Sequence, residues 1–325
     1  MEKINIANLP TRIDKLKQLS VELGTNLFIK RDDFTGTEFS GNKIRKLEYA
    51  LNEAINEGCD TIITTGAIQS NHCRATAAAA ARLGLNCELI IRGDEPSQIE
   101  GNLFLDHILG AKVHLIGPEE SREEKMEEVK EEIEKRSGKP YLIPVGASNA
   151  IGSYGYAECF DEILQQEKKL GIVFDAVVTS VGSGGTYAGL WFGNYMNRAD
   201  KEIYGISVSD SEDEFKEQII KILYGMKGME AEEEYLDKKI NINDKYIGEG
   251  YAKSTDKELK FLIDIARKEG IILDPCYTGK AFLGCIEEIK KGDLKDYKNI
   301  LFIHTGGLMG WTEEQRRRVM NIIDG

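Results

Sequence analysis

The chain has 325 residues, 41% hydrophobic and 30% charged, with a formal net charge of −13, a composition that allows two domains with a sizeable core. Such an acidic surface repels nucleic acid and anionic membranes, so neither is expected as a partner. No apolar run approaches the ~20 residues needed to span a bilayer, and the start, Met1-Glu2-Lys3-Ile4-Asn5, lacks the apolar core of a signal peptide.

Strand-like and helix-like segments alternate along the chain. Asn26-Leu27-Phe28-Ile29-Lys30 reads as a strand, followed by a helix over about 43–56. Thr61-Ile62-Ile63-Thr64-Thr65 is a second strand, followed by an alanine-rich helix over about 70–83. Strands at 88–92 and 112–116 flank a helix near 99–109. The charged run 119–135 reads as one exposed helix whose opposite charges sit in neighbouring turns. In the second half, 176–180, 202–209 and 300–305 read as strands, and 212–239 as a charged helical hairpin or a lid-side decoration. Short apolar strands alternating with helices predict an α/β fold with parallel sheets covered on both faces.

The six cysteines, at 59, 73, 87, 159, 276 and 285, form no CxxC pair, and the four histidines, at 72, 107, 114 and 304, show no paired spacing. Reduced, mostly buried thiols in a cytoplasmic protein and no structural metal are the expectation.

Four strand- or loop-to-helix junctions, and one strand end, carry groups with chemistry. Lys43, in Ser40-Gly41-Asn42-Lys43, stands where a loop of small residues enters a helix. The helix dipole disfavours a positive charge there and helps hold the amine neutral, the form that makes a Schiff base. The plain alternative is a solvated surface lysine. Ser180-Val181-Gly182-Ser183-Gly184-Gly185-Thr186 follows an apolar strand and opens a helix, an arrangement suited to one phosphate group. It is not a P-loop, because no Gly-Lys-Ser/Thr ends it. Nor is it the dinucleotide fingerprint, because Tyr187 stands where the third glycine should be. The plain alternative is a tight strand–helix turn.

Gln69-Ser70-Asn71-His72 puts a dense set of donors and acceptors at a strand's C-terminal end, where α/β proteins bind ligands. Ser70 could equally be a simple helix cap. A Ser70–His72 catalytic pair is disfavoured, since residues two apart on a helix face different directions. Asp274-Pro275-Cys276-Tyr277-Thr278-Gly279-Lys280 is another loop-to-helix junction, and His304-Thr305-Gly306-Gly307 ends an apolar strand. Tyr277 could carry a proton or orient a substrate, and Thr305 offers a neutral hydroxyl.

These five motifs, in this order, resemble the D-cysteine desulfhydrase / 1-aminocyclopropane-1-carboxylate (ACC) deaminase family of pyridoxal-phosphate (PLP) enzymes, whose members also include L-cysteate sulfo-lyases. The match runs from Asn8-Leu9-Pro10-Thr11-Arg12 to Gly307. The resemblance implies a two-domain tryptophan-synthase-β-like fold (fold type II). Residues 1–45 and 164–325 would form a large domain, residues 46–163 a smaller inserted α/β domain, and PLP would lie between them. Lys43 would hold the cofactor as a Schiff base and remove the α-proton. Asn71 would bond the cofactor's ring hydroxyl, and Gly182, Ser183, Gly184, Gly185 and Thr186 its phosphate, with Thr305 also at the cofactor. Ser70, Asn71, His72 and Thr278 would face the substrate, with Ser70 at its carboxylate. Tyr277 and Tyr251 match the two active-site tyrosines.

Deaminases of the family carry Tyr-Glu-Gly-Lys and His-Leu-Gly-Gly where this chain has Thr278 and Thr305, as the desulfhydrases do. A carboxylate near the pyridine nitrogen deepens the electron sink that cyclopropane opening needs. Thiol elimination drains charge into its leaving group and can do without it. The expectation is therefore a D-cysteine desulfhydrase giving pyruvate, hydrogen sulfide and ammonia. ACC deaminase and L-cysteate sulfo-lyase are the alternatives within the family, and a non-catalytic phosphate-ligand-binding protein is the alternative outside it. Lys253 departs from the desulfhydrase pattern around Tyr251. It either faces solvent or, if it faces the pocket, favours an anionic substrate side chain such as a sulfonate. A homodimer is implied by the resemblance alone.

Overall fold

The computed structural model describes all 325 residues. In chain order the elements are β1 (Ile13–Lys15), α1 (Lys17–Leu23), β2 (Asn26–Lys30), α2 (Lys43–Asn56), β3 (Thr61–Ala67), α3 (Asn71–Leu83), β4 (Asn86–Arg92), α4 (Gly101–Ile108), β5 (Lys112–Ile116), α5 (Arg122–Lys135), β6 (Pro140–Leu142), α6 (Ala150–Leu170), β7 (Ala176–Val181), α7 (Gly185–Asn197), β8 (Glu202–Ser207), α8 (Glu212–Tyr224), α9 (Glu233–Lys239), β9 (Asn241–Asn243), α10 (Asp256–Glu269), α11 (Thr278–Lys291), β10 (Asn299–Ile303) and α12 (Glu313–Asp324).

Two sheets result. The larger has the order β1-β2-β10-β7-β8-β9 and is parallel except for β1 against β2. The smaller has the order β5-β4-β3-β6 and is wholly parallel. Its strands fall within residues 61–142, inside the segment expected to form the small domain.

Burial on both faces explains the unbroken apolar runs of the strands. Val177 of β7 and Leu301 of β10 point into a core with Phe160, Phe174 and Trp191. Their neighbours Ala176, Val178, Ile300 and Phe302 point the other way, against Leu262, Phe282 and Ile286. In the small sheet Ile62 and Leu89 pack on α2 and α3, while Ile63 and Ile90 pack on Met126, Val129 and Ile133 of α5.

Several element ends differ from expectation for reasons of capping. α3 starts at Asn71 because Ser70 is its N-cap, its hydroxyl accepting from the Cys73 amide. α5 starts at Arg122 because Ser121 caps the Glu124 amide. β8 and β10 stop at Ser207 and Ile303, where the chain leaves the ladder to enter the cleft. The 212–239 run is two helices, α8 and α9, joined through Gly225 and Gly228. All six cysteines are free; Cys276 alone is only partly buried.

The long helix α6 lies between α2 and α7, which the sequence reading did not outline. Tyr156, Phe160 and Ile163 pack it into the core, and glycines let the helices approach closely. A Cβ on Gly155 would stand 2.3 Å from the Arg45 carbonyl oxygen, and one on Gly189 of α7 would stand 2.2 Å from the Ser153 carbonyl oxygen. The close approach of α2 and α6 fixes the first turn of α2, and with it Lys43.

Candidate active site

A cavity of about 290 Å³ opens where the C-terminal ends of both sheets face each other. β3 delivers Gly66 and Ala67 to it, β7 delivers Ser180 and Val181, and the segments after β8 and β10 deliver Ser209, Asp210, Thr305 and Gly306.

Lys43 is the first residue of α2 and lines the cavity. Two glycines make its approach possible. Gly41 has φ +112°, and a Cβ there would lie 2.7 Å from the Thr305 carbonyl oxygen; a Cβ on Gly306 would lie 2.6 Å from Gly41 Cα. The Asn42 amide closes the junction by donating to the Thr305 carbonyl at 3.1 Å. Desolvation lowers the Lys43 pKa to about 8, against the opposing pull of Asp274 and Cys276. About a tenth of the amine is therefore neutral at pH 7, far more than for an ordinary lysine, and the neutral form is the one a Schiff-base nucleophile requires.

Across the cavity, Gly182, Ser183, Gly184 and Thr186 line the wall. Gly185 lies just behind, against Ser148, where a Cβ would come within 2.7 Å of the Ser148 hydroxyl. The backbone amides of Ser183, Gly184 and Thr186 find no acceptor within the chain, and they sit at the start of the 13-residue helix α7. They form a ready cradle for an anion.

Behind this loop stands Lys46, which sequence reading passed over. Its side chain is fully buried without a carboxylate partner, and its Nζ donates only to Ser148 Oγ, at 3.0 Å. Ser148 Oγ in turn meets Ser183 Oγ at 2.8 Å. Burial and the neighbouring Lys43 push the Lys46 pKa far down, so the amine favours its neutral form until an anion joins it and stabilises the charged form. The available signal was its spacing three residues after Lys43, on the same face of the helix.

Asn71 presents its amide to the cavity while its Oδ1 is held by Asn102 Nδ2 at 3.0 Å and Arg74 NH2 at 3.5 Å. The carboxamide is thereby oriented with its donor free. His72 also lines the cavity. The Thr64 hydroxyl donates to the Ile143 carbonyl at 2.7 Å, so in the 2.8 Å contact between His72 Nε2 and Thr64 Oγ1 the ring nitrogen must donate. Desolvation, with Lys43 and Lys46 nearby, lowers its pKa far below the usual range and keeps it neutral. Its Nδ1 is a buried acceptor without a partner.

Tyr251 and Tyr277 line the cavity with their hydroxyls in mutual contact and their rings edge to face at 5.7 Å. Burial raises both pKa values, so both hydroxyls stay protonated at neutral pH. A Cβ on Gly182 would meet the Tyr277 ring at 3.2 Å, so the ring covers the glycine loop. Thr305 lines the cavity with its hydroxyl 3.3 Å from Ser180 Oγ. Thr278, by contrast, is fully buried outside the lining. Its hydroxyl donates to Asp274 Oδ1 at 2.6 Å and accepts from the Asp274 amide at 2.9 Å. Asp274 is spent on that clasp and on the amides of Cys276, Tyr277 and Thr278. Lys253 is exposed and does not line the cavity.

These residues fit pyridoxal phosphate: an amine of lowered pKa, an anion cradle of free amides backed by a buried lysine with no carboxylate partner, and a donor held ready at Asn71. Comparison with known proteins agrees. Residues 4–306 match the family described as pyridoxal-phosphate dependent enzyme. The bifunctional D-cysteine desulfhydrase/1-aminocyclopropane-1-carboxylate deaminase of Arabidopsis thaliana, named as mitochondrial, is 43% identical over 319 residues, covering 94% of this chain and 78% of the relative. The D-cysteine desulfhydrase of Salmonella typhi is 38% identical, with 94% of each chain covered. A solved structure described as an ACC deaminase homologue superposes with a TM-score of 0.87 at 35% identity, covering 98% of this chain and 95% of its own. The chain thus belongs to the family of pyridoxal-phosphate-dependent enzymes that includes the D-cysteine desulfhydrases and the ACC deaminases.

Proposed function

We propose that this enzyme is a D-cysteine desulfhydrase, converting D-cysteine and water to pyruvate, hydrogen sulfide and ammonia. The observation that carries the reading is the pair of neutral hydroxyls, Ser180 and Thr305, in mutual contact at the ends of β7 and β10; the one carboxylate lining the cavity, Asp210, follows β8 and bonds to neither. When bound, pyridoxal phosphate supplies the electron sink for negative charge at the substrate's α-carbon. Neutral partners suffice for a substrate whose thiol departs with the charge.

The remaining roles belong to side chains of the chain. Lys43 would hold the cofactor, and its Nζ would take the α-proton of the substrate; a pKa near 8 suits a base working at neutral pH. Ser70 and the start of α3 receive the substrate carboxylate, and Asn71 donates to the cofactor's ring hydroxyl. The Gly182–Thr186 amides and Lys46 hold the phosphate. Tyr277, protonated and in contact with Tyr251, is placed to donate a proton to the departing sulfur. The small domain is taken as residues 46–163 and the assembly as a homodimer.

The test is a panel of D-cysteine, L-cysteine, ACC and L-cysteate offered separately to the holoenzyme, with the keto acid identified. Pyruvate from D-cysteine, without 2-oxobutanoate from ACC, supports the reading. Preferential turnover of ACC, an activity named among the relatives, refutes it in favour of the deaminase.

A further inference from the structure

Besides Lys43, one cation lines the cavity: Arg122, the first residue of α5. It makes no ion pair and no side-chain hydrogen bond, and its Nε is buried without a partner. The only carboxylate lining the cavity, Asp210, follows β8 on the glycine-loop side and is not bonded to Arg122. Burial and the positive charge of Arg92 beside it work against its charge, and among its neighbours Glu123, the next residue of α5, is the charged group that opposes them without forming an ion pair.

The loop is built to keep Arg122 there. Arg92, at the end of β4, donates through NH2 to the Glu120 carbonyl at 2.8 Å, and its own Nε is also buried and unpartnered. The Gly117 amide donates to Glu120 Oε2 at 2.6 Å, and Ser121 caps α5. A half-buried guanidinium held without an acceptor, beside a second one, is costly unless an anion joins it.

The free amides at the start of α7 would hold the cofactor's phosphate, so that phosphate does not need Arg122. We propose that Arg122 binds the carboxylate of the amino-acid substrate, sharing it with Ser70 at the start of α3. This rests on the proposed amino-acid lyase function but not on D-cysteine in particular. An Arg–carboxylate pair in a partly desolvated cleft gives affinity and fixes orientation, so Arg122 sets the requirement for a carboxylate and aligns the Cα–H bond with Lys43.

The experiment uses the holoenzyme and two probes that lack a leaving group, D-alanine and ethylamine, which is D-alanine without its carboxylate. Each is titrated against the visible absorbance of the bound cofactor in wild type, Arg122→Gln and Arg122→Lys. The expected result is at least a tenfold weaker D-alanine response in Arg122→Gln, partial recovery in Arg122→Lys, and ethylamine unchanged within twofold. D-Alanine unchanged, both probes weakened equally, or no D-alanine response in the wild type would each overturn the assignment. Wild-type protein that releases no sulfide from D-cysteine yet shows the expected split would sink the desulfhydrase reading and leave the role of Arg122 standing.

Discussion

Asn42 and Thr186 are bonded across the cleft, Asn42 Nδ2 donating to Thr186 Oγ1 at 2.9 Å while Asn42 Oδ1 accepts from Lys43 Nζ at 3.0 Å. One buried carboxamide thus ties the lysine to the anion loop. Asn42→Ala removes two buried polar contacts, at about 1–3 kcal/mol for the groups left unpaired. The expected outcome is cofactor affinity reduced roughly 5- to 160-fold, the same energy expressed as an equilibrium, with the melting temperature of the holoenzyme at saturating cofactor little changed. Equilibrium dialysis against PLP reads it.

Arg45, two residues after Lys43, joins α2 to the rest of the molecule. Its guanidinium takes both oxygens of fully buried Asp32 at 2.8 and 2.9 Å and partly buried Glu162 at 2.9 Å. Burial works against the Asp32 charge, but Arg45 and Lys30 prevail and bring its pKa down to about 2. Arg45→Met leaves that charge uncompensated and should cost about 3–5 kcal/mol in chemical denaturation. Because the folded pKa is depressed, the Asp32 contribution is present above pH 4 and lost as pH falls towards 2.

The reverse sign applies to Asp106. Both its carboxylate oxygens are buried without partners, and burial, opposed by Arg74, raises its pKa to about 8. The native state therefore keeps a proton that the unfolded chain gives up near pH 4, and stability falls as pH rises from 4 towards 8. Asp106→Asn should stabilise the protein at pH 8.5 by about 1–3 kcal/mol and change little at pH 5. Equal effects at both pH values would contradict this.

Much of this site was legible in the sequence because its groups come from junctions. Gly-rich loops, caps and strand ends announce themselves by residue type, so Lys43, Asn71, Gly182–Thr186 and Thr305 could be named before their distances were known. What was not legible depends on packing. The 150–170 run does carry helical signals, the Asn149 cap, the Gly171 stop and the spacing of Tyr156, Phe160 and Ile163, but its glycine-mediated approach to α2 and α7 is set by packing and shows only in the structure. Arg122 looked like one more charge on a solvated helix, and only the turn at Gly117–Ser121 swings it into the cleft. Lys253 was the cation that sequence drew attention to, and it is exposed.

The threonine pair divides in the structure. Thr305 lines the cavity, while Thr278 is clasped by Asp274. If neutral partners favour thiol elimination, Thr278→Glu combined with Thr305→Leu should raise ACC turnover and lower sulfide release from D-cysteine, each about tenfold or more, on the order of 1.4 kcal/mol of barrier. No change in either rate would remove the argument.

The most direct test measures sulfide and pyruvate together from D-cysteine, with wild-type holoenzyme beside Lys43→Ala. The predicted result is one sulfide per pyruvate from the wild type and a loss of at least a thousandfold in the variant. Comparable release by Lys43→Ala, or none by the wild type, would contradict the assignment of Lys43 to D-cysteine elimination.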